Sequence, residues 1–128
     1  MQFGVAIATT GVSGCPNGGS ATSRTVEMAT EFTFDPETIT IAHRGTVTWT
    51  NTSDVDHTVT AYGDGIPDAA TYLASGGFES ERSARDHVNG VRIVPDDEHE
   101  RAFEQPGTYH YYCIPHESSG MIGTVRVE

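Results

Sequence analysis

The chain contains no lysine. Its seven cations are all arginines, set against 18 aspartates and glutamates, for a formal charge of -11 over 128 residues. A phosphate backbone is neutralised by clustered cations, so this balance argues against a nucleic-acid partner. The acidity is not that of a disordered chain, because strand-like alternation recurs along it. It fits solubility at high salt, where self-repulsion among carboxylates is screened. No stretch approaches the roughly 18–20 consecutive apolar residues of a spanning helix. No internal repeat is present, and the length suits one domain with a single core. Only two cysteines occur, Cys15 and Cys113. A disulfide between them is not expected, because Cys15 precedes the folded region and Cys113 sits in a ligand-rich loop.

That loop carries the chemistry. Gly107-Thr108-Tyr109-His110-Tyr111-Tyr112-Cys113-Ile114-Pro115-His116-Glu117-Ser118-Ser119-Gly120-Met121 places a thiol, an imidazole and a thioether within nine residues. Soft sulfur with imidazole is the donor set copper prefers, and a blue-copper centre takes two histidines and a cysteine in a plane with a weak axial methionine. Tyr109, Tyr111 and Cys113 share one face by alternation, so Cys113 stands at the inner end of a strand. Pro115 stiffens the turn and Gly120 permits the tight return that brings back Met121. Val125 and Val127 then resume a strand. The missing histidine is assigned to His57, which shares a face with Val59 and Ala61. His43, His87, His99 and His110 are expected at the solvated surface.

The ligand loop, together with Gly45-Thr46-Val47-Thr48-Trp49-Thr50-Asn51 and Asp56-His57-Thr58-Val59, resembles the plastocyanin-type cupredoxins and is most similar to the halocyanins. The resemblance covers roughly residues 26–128. It implies a Greek-key β-sandwich and one type 1 copper held by His57, Cys113, His116 and Met121. It also implies an electron carrier that is not an enzyme, cycling between Cu(II) and Cu(I) among membrane-associated redox proteins as a monomer. Many members of the family have Asn after the first histidine, bracing the cysteine loop; this chain has Thr58, whose hydroxyl can hydrogen-bond across instead. Ile114, Pro115 and Ile122 are expected to form an apolar rim around an exposed edge of His116.

Other functions fit less well. A Cys–His hydrolase leaves Met121 unexplained, and a structural zinc prefers a tetrahedron without a thioether. A copper chaperone or storage module is the alternative to electron transfer.

The rest of the chain divides at residue 23. Residues 1–23 read as a leader and linker, with a short apolar core at Phe3–Ala8 and a lipobox-like Val12-Ser13-Gly14-Cys15. Lipidation of Cys15 would anchor the protein at the outer face of the cell membrane. A secreted soluble form, its tail carrying an incidental cysteine, is the alternative. Residues 24–128 form the copper domain. Phe32/Phe34, Ile39/Ile41 and Val47/Trp49 mark three strands, with turns at Asp35-Pro36 and His43–Gly45. Asn51-Thr52-Ser53 matches a glycosylation sequon. An irregular insert follows over roughly residues 62–97, with short helices expected at Pro67–Ala74 and at Glu79–Val88, the latter carrying a Glu81/Arg85 pair at helical spacing. Strands are expected again near 101–103, 108–113 and 123–127.

Overall fold

A computed structural model describes residues 21–128; the leader, the lipobox and Cys15 lie outside them. The strands are β1 (Ala21–Ala29), β2 (Thr33–Asp35), β3 (Thr38–Asn51), β4 (Thr60–Ala61), β5 (Glu98–Ala102), β6 (Gly107–Tyr112) and β7 (Ile122–Val127). They run in the order β2-β1-β3-β7-β6-β4, with β5 beside β3. The all-β reading with a partly helical insert holds. β1 takes in residues 21–23, which the sequence assigned to the linker.

β3 organises the molecule. Its first half lies parallel to β7 and its second half antiparallel to β5, while β1 runs parallel to it across the kink between them. The turn expected at His43–Gly45 is this kink rather than a strand break. Arg44 takes φ 69°, and a Cβ on Gly45 would meet the Ala42 carbonyl oxygen at 2.7 Å. The detour uses an even number of residues, so Ile39, Ile41, Val47, Trp49 and Asn51 all point inward. They meet Val26 and Met28 of β1, Tyr109 and Tyr111 of β6, and Val125 and Val127 of β7. Each such apolar side chain contributes roughly 1.5–3 kcal/mol on burial. Tyr111 reaches under Gly123, where a Cβ would sit 2.5 Å from its ring.

The insert covers the other face of β4 and β6. Thr58, Thr60 and Tyr112 are therefore fully buried, although alternation alone would expose them. Of the two expected helices, Glu79–Val88 forms in part, as α1 (Glu81–Asp86) followed by the single turn α2 (Val88–Val91). Ser80 caps α1 by accepting the Ser83 N–H. The helix expected at Pro67–Ala74 does not form. Its last residues pair as extended chain instead: the Ala61 N–H donates to Leu73 O and the Ser75 N–H to Val59 O. Ala74, Ala84 and Val91 make a second small core beneath the insert.

Among the surface histidines, His43, His87 and His110 are exposed as expected. His99 is not. Its strand pairs it with Trp49, the two rings stack at 6.1 Å, and burial lowers its pKa. The Asn51 sequon is also a structural feature rather than a glycan acceptor in the fold. Asn51 is fully buried, and its amide nitrogen donates to Val55 O at 2.7 Å and Ile93 O at 2.8 Å.

Candidate metal centre

Cys113 leaves the end of β6 and enters a 3-10 segment, Ile114–Ser119, with Pro115 in its first turn. The segment closes on Gly120 at φ 88°, a conformation that favours glycine. Two backbone bonds seal the loop: Cys113 N–H to Met121 O at 3.0 Å, and Met121 N–H to His116 O at 3.3 Å. Cys113 and Met121 are both fully buried. His57 arrives from the far side, just before β4, pinned by reciprocal backbone bonds with Ile93.

These elements bring three donors together. His57 Nδ1 lies 3.7 Å and His116 Nδ1 3.3 Å from Cys113 Sγ. Donor atoms of the three residues all lie within 4.8 Å of one another, the one such histidine–cysteine–carboxylate group among the described residues. A first-row metal bonded to N at about 2.0 Å and S at about 2.3 Å in a trigonal plane needs N···S edges of about 3.7 Å. The His57 edge matches this at 3.7 Å, and the His116 edge is shorter at 3.3 Å. Soft thiolate and imidazole donors suit copper, so the residues present fit it.

The surroundings prepare each donor. Ser53 Oγ is 2.9 Å from His57 Nε2 and also contacts Asn51 Oδ1 at 2.7 Å and Val55 O at 3.1 Å. The last two are acceptors only, so the single hydroxyl proton goes to one of them. Ser53 Oγ therefore accepts from His57 Nε2–H, and Nδ1 keeps its lone pair turned towards Cys113. Thr58 braces from the other side. Its N–H donates to Cys113 Sγ at 3.3 Å, and its hydroxyl oxygen accepts the Ile114 N–H at 2.8 Å. The bracing role the family gives to Asn is thus taken by a threonine hydroxyl. Phe32 stacks on His116 at 4.3 Å and 19° between planes. Sequence reasoning missed Ser53 and Phe32. An Asn-x-Ser turn ending four residues before His57 was a readable signal for Ser53; nothing in the sequence pointed to Phe32.

Burial dominates the electrostatics. It raises the Cys113 thiol, against which the Thr58 N–H works, and it lowers His116. A thiolate is the metal-binding form, so binding releases the thiol proton. Burial, with His116 beside it, lowers His57 to about 4 from 6.5. The folded metal-free protein keeps His57 neutral while the unfolded chain protonates it below 6.5. Stability is thus full above pH 6.5, falls as pH drops towards 4 and levels off below. At about 1.4 kcal/mol per unit, the loss is about 3 kcal/mol. Urea melts of metal-free protein across this window measure it; a His57→Gln variant is expected to lose that part of the pH dependence.

The family model described as copper binding proteins, plastocyanin/azurin family, matches residues 21–128. The chain belongs to this family. It is 33% identical over 95 residues to the plastocyanin of Scenedesmus fuscus, covering 74% of this chain and 86% of that one. It is 32% identical over 95 residues to the chloroplastic plastocyanin of Tetradesmus obliquus, covering 74% of this chain but 58% of that one. Among solved structures, the purple cupredoxin from Nitrosopumilus maritimus has the same fold, with TM-score 0.58 and 23% identity over 82% of this chain and 99% of that one.

Proposed function

We propose that the protein is a one-electron carrier, not an enzyme, and that His57, Cys113, His116 and Met121 hold its copper. The convergence of two imidazole nitrogens on one buried thiol carries this reading. Copper, when bound, supplies a Cu(II)/Cu(I) couple. The chain's own residues do the rest. Asn51, Ser53 and Thr58 hold the donors in a fixed geometry, so little rearranges when the charge changes. Cys113 and Met121 are both fully buried, which keeps water away from the thiol. His116 is only half-buried, with Phe32 on its ring and Ile114 and Pro115 beside it in the chain. That edge is the port for electrons, and redox encounters use small, weak interfaces of this kind. Ile122, expected in the same rim, is 42% exposed but lies elsewhere, opposite Tyr112 in the strand register and beside Tyr62, His110 and Thr124.

The finer reading follows the sequence. The acidic, lysine-free surface and the ligand loop support a halocyanin-type carrier, monomeric, exported and anchored through a lipidated Cys15 at the outer face of the membrane, serving redox proteins there. No helix among the described residues is long and apolar enough to cross a membrane.

Voltammetry tests the central role. A carrier gives a reversible one-electron wave with fast exchange, and Met121→Leu keeps the copper while moving the potential up, because an apolar axial position favours Cu(I). A protein that takes up copper but shows no reversible wave is a storage module. Salt tests the surface. With a charge of -11 and a screening length of about 3 Å at 1 M, thermal midpoints are expected to rise by several degrees from low to molar NaCl. A flat or falling series contradicts the halophilic reading.

A further inference from the structure

Glu117 follows His116 directly, and the insert holds it. Arg85 of α1 donates from Nη1 to Glu117 Oε1 at 3.1 Å, and from Nε and Nη2 to Glu81 Oε2 at 3.0 and 2.8 Å. The Tyr112 hydroxyl donates to the same Glu81 oxygen at 2.9 Å, and the Gly63 N–H to its other oxygen at 2.8 Å. The Tyr62 hydroxyl donates to Glu117 at 2.8 Å. The Tyr62 and Tyr112 rings pack at 4.3 Å, and the Arg85 guanidinium lies 4.5 Å over the Tyr112 ring. One guanidinium thus closes a circuit through three segments: the residue after His116, the residue before Cys113, and the chain leading on from His57 through β4.

We propose that α1 is a latch on the metal loop, with Arg85 and Glu117 as positioning residues that fix His116 relative to Cys113. The chemistry calls for arginine. Two carboxylates must be bridged while a flat face covers a tyrosine ring, which a planar five-donor fork does and a lysine point charge does not. The latch is also less exposed than a typical surface pair. The side chains of Arg85 and Glu117 are 39% and 32% exposed, against 78% for both partners of the Arg44–Glu104 pair. It therefore weakens less as salt rises. Two of the loop's closing bonds, Gly120 N–H to Glu117 O and Met121 N–H to His116 O, depend on where Glu117 is held.

The inference rests on His116 being a copper ligand, so its test has one arm with metal and one without. In metal-free protein, amide exchange at Gly120 and Met121 is expected to quicken by about three- to fivefold in Arg85→Gln and in Glu117→Gln, the size expected for losing a partly exposed ion pair. The core amide of Val125 stays at the wild-type rate. In the Cu(I) protein, release to a chelating dye quickens in both variants by a similar factor. The double variant does no more than either single one, because both break one circuit. Arg85→Lys falls between. Arg82→Gln, on the same helix but paired only with Asp86 at 3.9 Å, leaves both rates unchanged. A pure charge effect on the metal would act in opposite directions in the two single variants, since one loses a cation and the other an anion. Loop exchange within about twofold of wild type, effects that add in the double variant, or an equal rise at Val125 would overturn the latch. A wild-type chain that binds no copper would overturn the ligand assignment instead, leaving the latch to be judged on loop exchange.

Discussion

Replacing Cys113 with serine is expected to remove the visible colour of the Cu(II) form completely and to weaken copper binding by orders of magnitude. The thiolate is the only soft anionic donor in the cluster, and hydroxyl oxygen is a poor substitute for copper at neutral pH. The fold should persist, because serine is close to cysteine in size and the Thr58 N–H that meets Sγ at 3.3 Å can meet a hydroxyl oxygen instead. The Ile114 N–H keeps its bond to the Thr58 hydroxyl. Optical titration with Cu(II), run beside a thermal melt, separates the two effects. A coloured Cys113→Ser protein would mean that another group supplies the anionic ligand.

Asn51→Ala is expected to produce the second largest change, through the fold rather than the metal. The Asn51 side chain accepts the Ser53 N–H at 2.9 Å and the Ser53 hydroxyl at 2.7 Å, and donates to two carbonyls. Ile93 O still receives the His57 N–H, and the Ser53 hydroxyl, released by Asn51, can donate to Val55 O at 3.1 Å. The Ser53 N–H is left buried without a partner, at about 1–3 kcal/mol, and a cavity adds to that. A total near 3 kcal/mol in urea melts is expected. Asn51→Asp should be worse, because it turns an anion towards two carbonyl oxygens. Both variants loosen Ser53 and so the ring of His57, and copper should bind more weakly while the colour of the bound form survives. A loss below about 1 kcal/mol would show that Asn51 is not the anchor described.

Much of the proposed site was legible because its candidate donors lie in local patterns. Cys113, His116 and Met121 fall in one strand–turn–strand, where alternation and the Pro and Gly positions set the geometry without reference to the rest of the chain. His57 was picked out by the family resemblance, because a histidine in line with Val59 and Ala61 is by itself more often a core residue. The same alternation misled for Thr58, Thr60 and Tyr112, which are buried because residues far along the chain fold back over them. The failed helix at Pro67–Ala74 has the same origin. Its backbone is claimed by the edge of β4, and that pairing is not written in local propensity. Phe32 and Phe34 looked like one face of one strand. Phe34 enters the core, but Phe32 takes φ 61° and swings to His116. His99 looked solvated among charged neighbours, yet its register opposite Trp49 places it half-buried. The Glu81/Arg85 spacing was visible as a helical pair; its third partner, Glu117, lies 32 residues from Arg85.

His57, Cys113 and His116, with Met121, are expected to build a type 1 centre. Stepwise addition of Cu(II) to the full protein, followed by visible absorption, tests this most directly. An intense red-region band that saturates at one equivalent and bleaches with ascorbate is the predicted result. Stoichiometric uptake of Cu(II) by a protein that stays colourless would contradict it.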